Sequence, residues 1–234
     1  MTAILRRELG AYFSSPIGYI YLSVLYVFSG FYFFFSCLFN NSTDLTYVFS
    51  SLVTIVLFLI PILTMRLLSE DKKNRTDQAL LTAPVSLTGL VMGKFLAALA
   101  VYTIGLAITL LYGVILAVWS PPNWVQIFAN FFALLLLGAA LISIGMFISA
   151  LTENQVIAAV GGFAAALGLI IVNGLNNVTQ NPLALKIIAG LSFFTRYSTF
   201  TAGLFDLSSV LFFVSVCFLF VFFTVRVLEK RRWS

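Results

Sequence analysis

Six apolar stretches, over residues 17–39, 47–66, 95–118, 127–151, 156–175 and 207–228, carry charge only at their edges, at Arg66 and Arg226. An α-helix rises about 1.5 Å per residue and a bilayer's hydrocarbon is about 30 Å thick, so each stretch is long enough to cross. A charge at the centre of such a helix costs about 2.5–3.5 kcal/mol on the insertion scale, which accounts for the bare interiors. With 61% apolar and 9% charged residues, the chain differs from a water-soluble globule, where about a quarter of residues are charged. It also differs from disordered chains, which are rich in charge and poor in apolar residues. The expected fold is an all-α membrane protein, one transmembrane domain over residues 1–234.

Several function classes lose their residues at this point. The chain has no histidine, which removes the usual general base, the commonest metal ligand and the Ser-His-Asp triad. Cys37 and Cys217 lie in apolar runs without the spacing of a metal site and read as packing residues. No Asp pair lies within a span to serve as an aspartyl dyad. Ion-coupled carriers usually bury ionisable groups at mid-membrane, and these spans offer none. A net charge of +5 without a Lys/Arg run gives nucleic acid nothing to hold. Residues 1–13 lack the short apolar core and cleavage site of a signal peptide. No catalytic, cofactor-binding or metal-ligating residue is therefore expected.

The basic residues predict orientation. Arg6, Arg7, Arg66, Lys72, Lys73, Arg75, Lys94, Arg226, Lys230, Arg231 and Arg232 fall on one side of the six spans, and only Lys186 and Arg196 on the other. Such an excess marks the cytoplasmic side, so both termini are expected there. Trp119 and Trp124, around Pro121-Pro122, suit the outer interface, and Trp233 the inner one.

Three segments do not span. In residues 1–16, Leu5, Leu9, Tyr12 and Phe13 share one helical face at i, i+4, i+7 and i+8, while Arg7 points away. With Arg6 beside it, this reads as an amphipathic helix in the inner interface. Residues 67–94 form the most charged part of the chain. Ser69 can cap a helix whose first turn holds Glu70 and Asp71, where the helix dipole favours acids. Asp71 and Arg75 have the spacing of an i,i+4 pair, Leu80 and Leu81 give an apolar end, and Pro84 stops the helix. Ser86 then opens a second helix through Leu87, Leu90 and Val91 to Lys94. A link that needs few residues is thus built out with internal order, as a docking surface for a soluble partner would be. A charged loop that merely fixes topology is the alternative. Residues 176–206 are broken by Asn181-Pro182, then carry Leu183, Ile187, Ile188 and Leu191 at helical spacing and the aromatic Phe193, Phe194, Tyr197 and Phe200. Short helices dipping into the outer leaflet fit, as does a loop packed on the bundle.

Two further patterns carry less. Gly89-Leu90-Val91-Met92-Gly93-Lys94 has one residue too few between its glycines for a phosphate loop, and Phe95 stands where Ser or Thr would hold magnesium. Ala158, Gly162 and Ala166, Gly161 and Ala165, and Gly138 and Gly145 allow close helix approach, within one bundle or between subunits.

The stretch Leu68-Ser69-Glu70-Asp71-Lys72-Lys73-Asn74-Arg75-Thr76-Asp77-Gln78-Ala79-Leu80-Leu81-Thr82-Ala83-Pro84-Val85-Ser86, followed by Gly93-Lys94, resembles the loop after the second span of ABC-2-type transporter permeases. The likeness is to the gliding-motility and nitrous-oxide-reductase-maturation branch in particular. The opening Arg6-Arg7-Glu8-Leu9 with Tyr12 to Pro16 is similar to that family's, as are Gly203 to Asp206 and the closing Leu228 to Arg232. The resemblance implies the six-span fold of type V ABC transporters, with an N-terminal connecting helix, a cytoplasmic coupling helix and outer re-entrant helices. It implies a bacterial cytoplasmic membrane, a second permease chain, the same or different, and room for an extracytoplasmic or membrane-anchored subunit. It also implies a separate ABC ATPase subunit that binds ATP-Mg and docks on Glu70, Asp71, Lys72, Lys73, Arg75, Leu80 and Leu81. Export of a substrate and mechanical movement of a partner protein both fit this architecture.

The orientation can be checked in a background lacking Cys37 and Cys217. A single cysteine at Asn74 should resist an impermeant thiol reagent in intact cells, whereas one at Ser120 should react. Labelling of Asn74→Cys would invert the map.

Overall fold

A computed structural model describes residues 2–76, 86–118, 121–178, 188, 190, 192–201 and 206–233. Among these the regular structure is helical throughout, and six helices are long and apolar enough to cross a membrane. Helix α1 (Thr2–Ser14) turns sharply into α2 (Pro16–Phe33). Pro16 occupies the first turn of α2 and forces Ser15 into the extended region, ψ 156°. The turn is so tight that a Cβ on Gly18 would lie 2.5 Å from the Tyr12 carbonyl oxygen. Beyond Phe33 the helix widens into a π-helical segment, Phe34–Leu38.

Polar side chains start most of the remaining helices by accepting their first amides. Asp44 Oδ1 accepts from Thr46 N at 2.8 Å, opening α3 (Thr46–Thr64). After the short α4 (Ser69–Lys73), Ser86 Oγ accepts from Gly89 N at 3.2 Å and opens α5 (Leu87–Ala117). Asn123 opens α6 (Trp124–Leu151), and Asn154 opens α7 (Gln155–Val178). Ser192 opens α8 (Phe193–Thr201), and Asp206 opens α9 (Leu207–Trp233). The Ser209 hydroxyl and the Ser208 amide hold the Asp206 carboxyl below its ordinary range.

The helix that carries the third apolar stretch begins at Leu87, eight residues before that stretch. The helix expected after Ser86 and the span are one continuous rod, because no residue between Ser86 and Phe95 breaks the backbone ladder. Lys94 consequently lies two turns inside a helix.

Helix α6 is the hub, packed against α3, α5, α7, α8 and α9. Tyr102 of α5 fits over Gly138 and donates from its hydroxyl to the Leu134 carbonyl at 2.7 Å. Thr64 of α3 fits over Gly145. Ala158, Gly162 and Ala166 are buried, and a Cβ on Gly162 would come 2.9 Å from Pro61 Cβ. This row of small residues serves packing within the bundle. On the outer helices, Phe34, Phe35, Phe222 and Phe223 are exposed, as bulk facing lipid would be. Phe33 instead stacks on Tyr112 inside, with centroids 4.3 Å apart.

Helix α8 lies at the end of the bundle away from α1. Its Phe193, Tyr197 and Phe200, at i, i+4 and i+7, are buried. Residues 179–187, 189, 191 and 202–205, which complete the expected outer segment, lie outside the described residues.

Overfilling the hub should be costly. Gly138→Leu should destabilise the protein by about 1–3 kcal/mol, read as a lower thermal midpoint in detergent. Gly168→Leu, at a position with nothing within 4 Å of its would-be Cβ, should leave the midpoint unchanged.

Candidate functional site

The charged residues gather at the end of the bundle where α3, α6 and α9 finish, here called the basic end. Lys94 is the centre of the cluster. Its ammonium is only 2% exposed and lies 3.0 Å from Glu8 Oε1 of α1 and 2.7 Å from Asp71 Oδ2 of α4. Arg7 reaches round its own helix, with Nη2 2.6 Å from Glu8 Oε1 and 3.8 Å from Asp71 Oδ1. The Glu8 carboxylate, hydrogen-bonded to Arg7, raises that guanidinium above its ordinary range. Two cations and two carboxylates thus cancel in a largely dry space, the condition under which buried charge is tolerated.

A second layer fixes the frame. The Tyr12 hydroxyl donates to the Leu63 carbonyl at 2.8 Å. Burial pushes the Tyr12 phenol well above its ordinary range, so it remains a donor. The Arg66 guanidinium sits 5.2 Å over the Tyr12 ring, donates to Ser15 Oγ at 2.5 Å and pairs with Glu70 Oε2 at 2.8 Å. Helix α1, the end of α3, α4 and the start of α5 are thereby joined by side chains rather than by sequence.

The inward face of α1 differs from the simple apolar stripe. Glu8 and Tyr12 are its buried residues, while Ile4, Leu9 and Phe13 pack on the core. Leu5 is half-buried at the margin, and Arg6 is exposed. The face turns because Glu8 must reach Lys94. Arg7, expected to point away, is tied into the cluster although its side chain is half exposed.

In the docking segment, Ser69 is buried and donates from its hydroxyl to the Met65 carbonyl rather than capping α4. Helix α4 stops at Lys73, and Arg75 takes a left-handed conformation, φ 55°. That break removes the phase an Asp71–Arg75 pair would need, and Asp71 turns to Lys94, Arg7 and the Thr76 hydroxyl at 3.0 Å instead. Lys72 is buried, its amine donating to the Ala150 carbonyl of α6. Of the candidate docking residues, Glu70 is half-exposed and Lys73 and Arg75 are exposed. Leu80 and Leu81 lie outside the described residues.

Glu8, Lys94 and Arg66 are the members that pattern reading missed. The available signal was an acid in the middle of an otherwise apolar face and a lysine two turns into an uninterrupted helix. Neither residue points to the other by spacing, since they are 86 positions apart. Among the described residues no group of three Cys, Asp or Glu is placed to hold a metal.

Removing one partner of a buried pair leaves the other uncompensated. Lys94→Met should destabilise by roughly 3–5 kcal/mol, seen as a lower thermal midpoint in detergent. Adding Glu8→Gln to it should recover part of the loss. Additive losses in the double variant would rule out the pair.

Comparison with known proteins points the same way as the six spans. No curated protein matches the chain significantly. The family model described as ABC-2 family transporter protein matches residues 24–231, nearly the whole chain. With that coverage, on a helical chain with six membrane-length helices, the protein belongs to the ABC-2 transporter family, as a membrane-spanning transport component.

Proposed function

We propose that the chain is the permease subunit of an ATP-driven transporter, with ATP-Mg bound and hydrolysed by a separate ABC ATPase that docks at the basic end. The observation that supports this reading most is the anchoring of α4. A surface loop that only set topology would need no buried fastening, yet Asp71 and Lys72 are held by α1, α5 and α6. The same fastening leaves Lys73, Asn74 and Arg75 exposed on a fixed support. Residues 70–81 are the proposed coupling segment, with Leu80 and Leu81 its apolar anchors and Glu70, Lys73 and Arg75 its rim. Asp71 and Lys72 contribute by holding the segment in place.

In this reading the basic end faces the cytoplasm and α1 lies in the inner lipid interface with Arg6 turned to water. A second permease chain, the same or different, completes the transport path. Helix α8 is read as part of an outer re-entrant structure. ATP-driven closure of the partner moves the coupling segment, and the fastened end passes the movement to the bundle as a rigid-body shift.

Desolvated apolar anchors carry more interface energy than rim charges. Leu80→Asp with Leu81→Asp should therefore abolish co-purification of the ATPase in mild detergent while the spans still insert. Lys73→Glu with Arg75→Glu should weaken assembly several-fold less, and more so at low salt, as exposed charges do. Normal assembly and ATP-dependent activity in the double Asp variant would reduce the segment to a topology determinant.

A further inference from the structure

Lys72 and Ser149 belong to neither the Lys94 cluster nor the exposed rim, yet both are buried. Helix α4 has five residues, too few to persist on its own hydrogen bonds. The amides at its start, Leu68 N and Ser69 N, donate to Ser149 Oγ of α6 at 3.1 and 3.0 Å. That hydroxyl in turn donates to the Met65 carbonyl at 3.1 Å. In the other direction, the Lys72 amine takes the Ala150 carbonyl, one of the last carbonyls of α6, which lack helical partners. A cation there is also favoured by the helix dipole. Each helix end is thus capped by a side chain of the other.

The route along the chain is softer. Helix α3 contains Pro61, which removes one amide from its ladder, and reaches α4 only through the turn Met65–Leu68. The route through α6 is stiff, and α6 packs against five other helices. At its far end, Gln126 Nε2 donates to Thr46 Oγ1 of α3 at 2.8 Å and to the Thr201 carbonyl of α8 at 3.3 Å.

We propose that displacement of α4 is delivered to α6 through the reciprocal Lys72–Ser149 clamp, which makes both side chains positioning residues for the transport stroke. This rests on the docking reading above. The fourth span then receives the movement directly, beside the Asp71–Lys94 link to α5, and passes it to α3 and α8 at the opposite end.

The test uses the full chain with the ATPase that co-purifies with it, Cys37 and Cys217 replaced, reconstituted in lipid nanodiscs. An environment-sensitive bimane probe is placed at Val125, exposed at the far end of α6, or at Phe39, exposed beyond α2. Emission is compared without nucleotide and after trapping with Mg-ATP and vanadate. The wild-type complex should shift at Val125. Ser149→Ala should keep ATPase stoichiometry and hydrolysis within twofold while losing at least half of the Val125 shift, more than any loss at Phe39, and Lys72→Met should lose a similar share of that shift. Lys72→Arg should restore it. An unchanged shift in both variants, no shift at Val125 in the wild type, or loss of ATPase binding in both variants would overturn the clamp. The last would make the pair a determinant of fold. Failure of any ATPase to co-purify with the wild type would instead remove the docking reading, and the clamp with it.

Discussion

A lysine two turns inside an apolar helix is a debt that the rest of the basic end is arranged to settle. Without counter-charge, the buried ammonium of Lys94 would lose several kcal/mol of hydration with nothing in return. Glu8 and Asp71 supply the counter-charge from two different segments, and Arg7 balances the second carboxylate. Satisfying one cation therefore brings α1 against α5 and holds α4 beneath them. The sharp turn at Ser15-Pro16 and the contacts of Tyr12 and Arg66 support the same placement.

The bundle above this end is built on the opposite rule. Its spans avoid charge, and several small hydroxyls within them return to their own helix. Thr64 donates to the Ile60 carbonyl at 3.0 Å, Thr109 to Leu106 at 2.8 Å, Ser143 to Ala140 at 2.7 Å and Thr224 to Phe220 at 2.7 Å. These four hydroxyls need no water, which is what hydrocarbon requires. Close approach then comes from Gly138, Gly145 and Gly162, each opposite a larger side chain on a neighbouring helix. A stiff, tightly packed bundle joined to a polar knot at one end is what the proposed function asks of it.

The knot also separates two kinds of charge that look alike in the sequence. Glu70-Asp71-Lys72-Lys73 alternates direction as α4 turns, so Asp71 and Lys72 enter the protein while Lys73 leaves it. Surface charges of the second kind contribute little to stability. In the proposed function they are the ones left for a partner to read.

What was legible in the chain is what depends on neighbours within a few residues. Six spans follow from run length and hydropathy, and the cap at Ser86 belongs to short-range chemistry. Family membership was legible too, because its pattern lies in contiguous residues from Leu68 to Ser86. The inward face of α1 was not, since periodicity selects Leu5, Leu9, Tyr12 and Phe13 and cannot know that Glu8 has a partner 86 positions on. The Asp71–Arg75 pair satisfied a spacing rule but not the left-handed backbone at Arg75. Small residues every fourth position suit a subunit contact as well as internal packing, and only the placement of Pro61 against Gly162 decided between them. Local chemistry determined the helices and their ends; which side chains meet, and therefore which charges are structural, was decided by burial across distant segments.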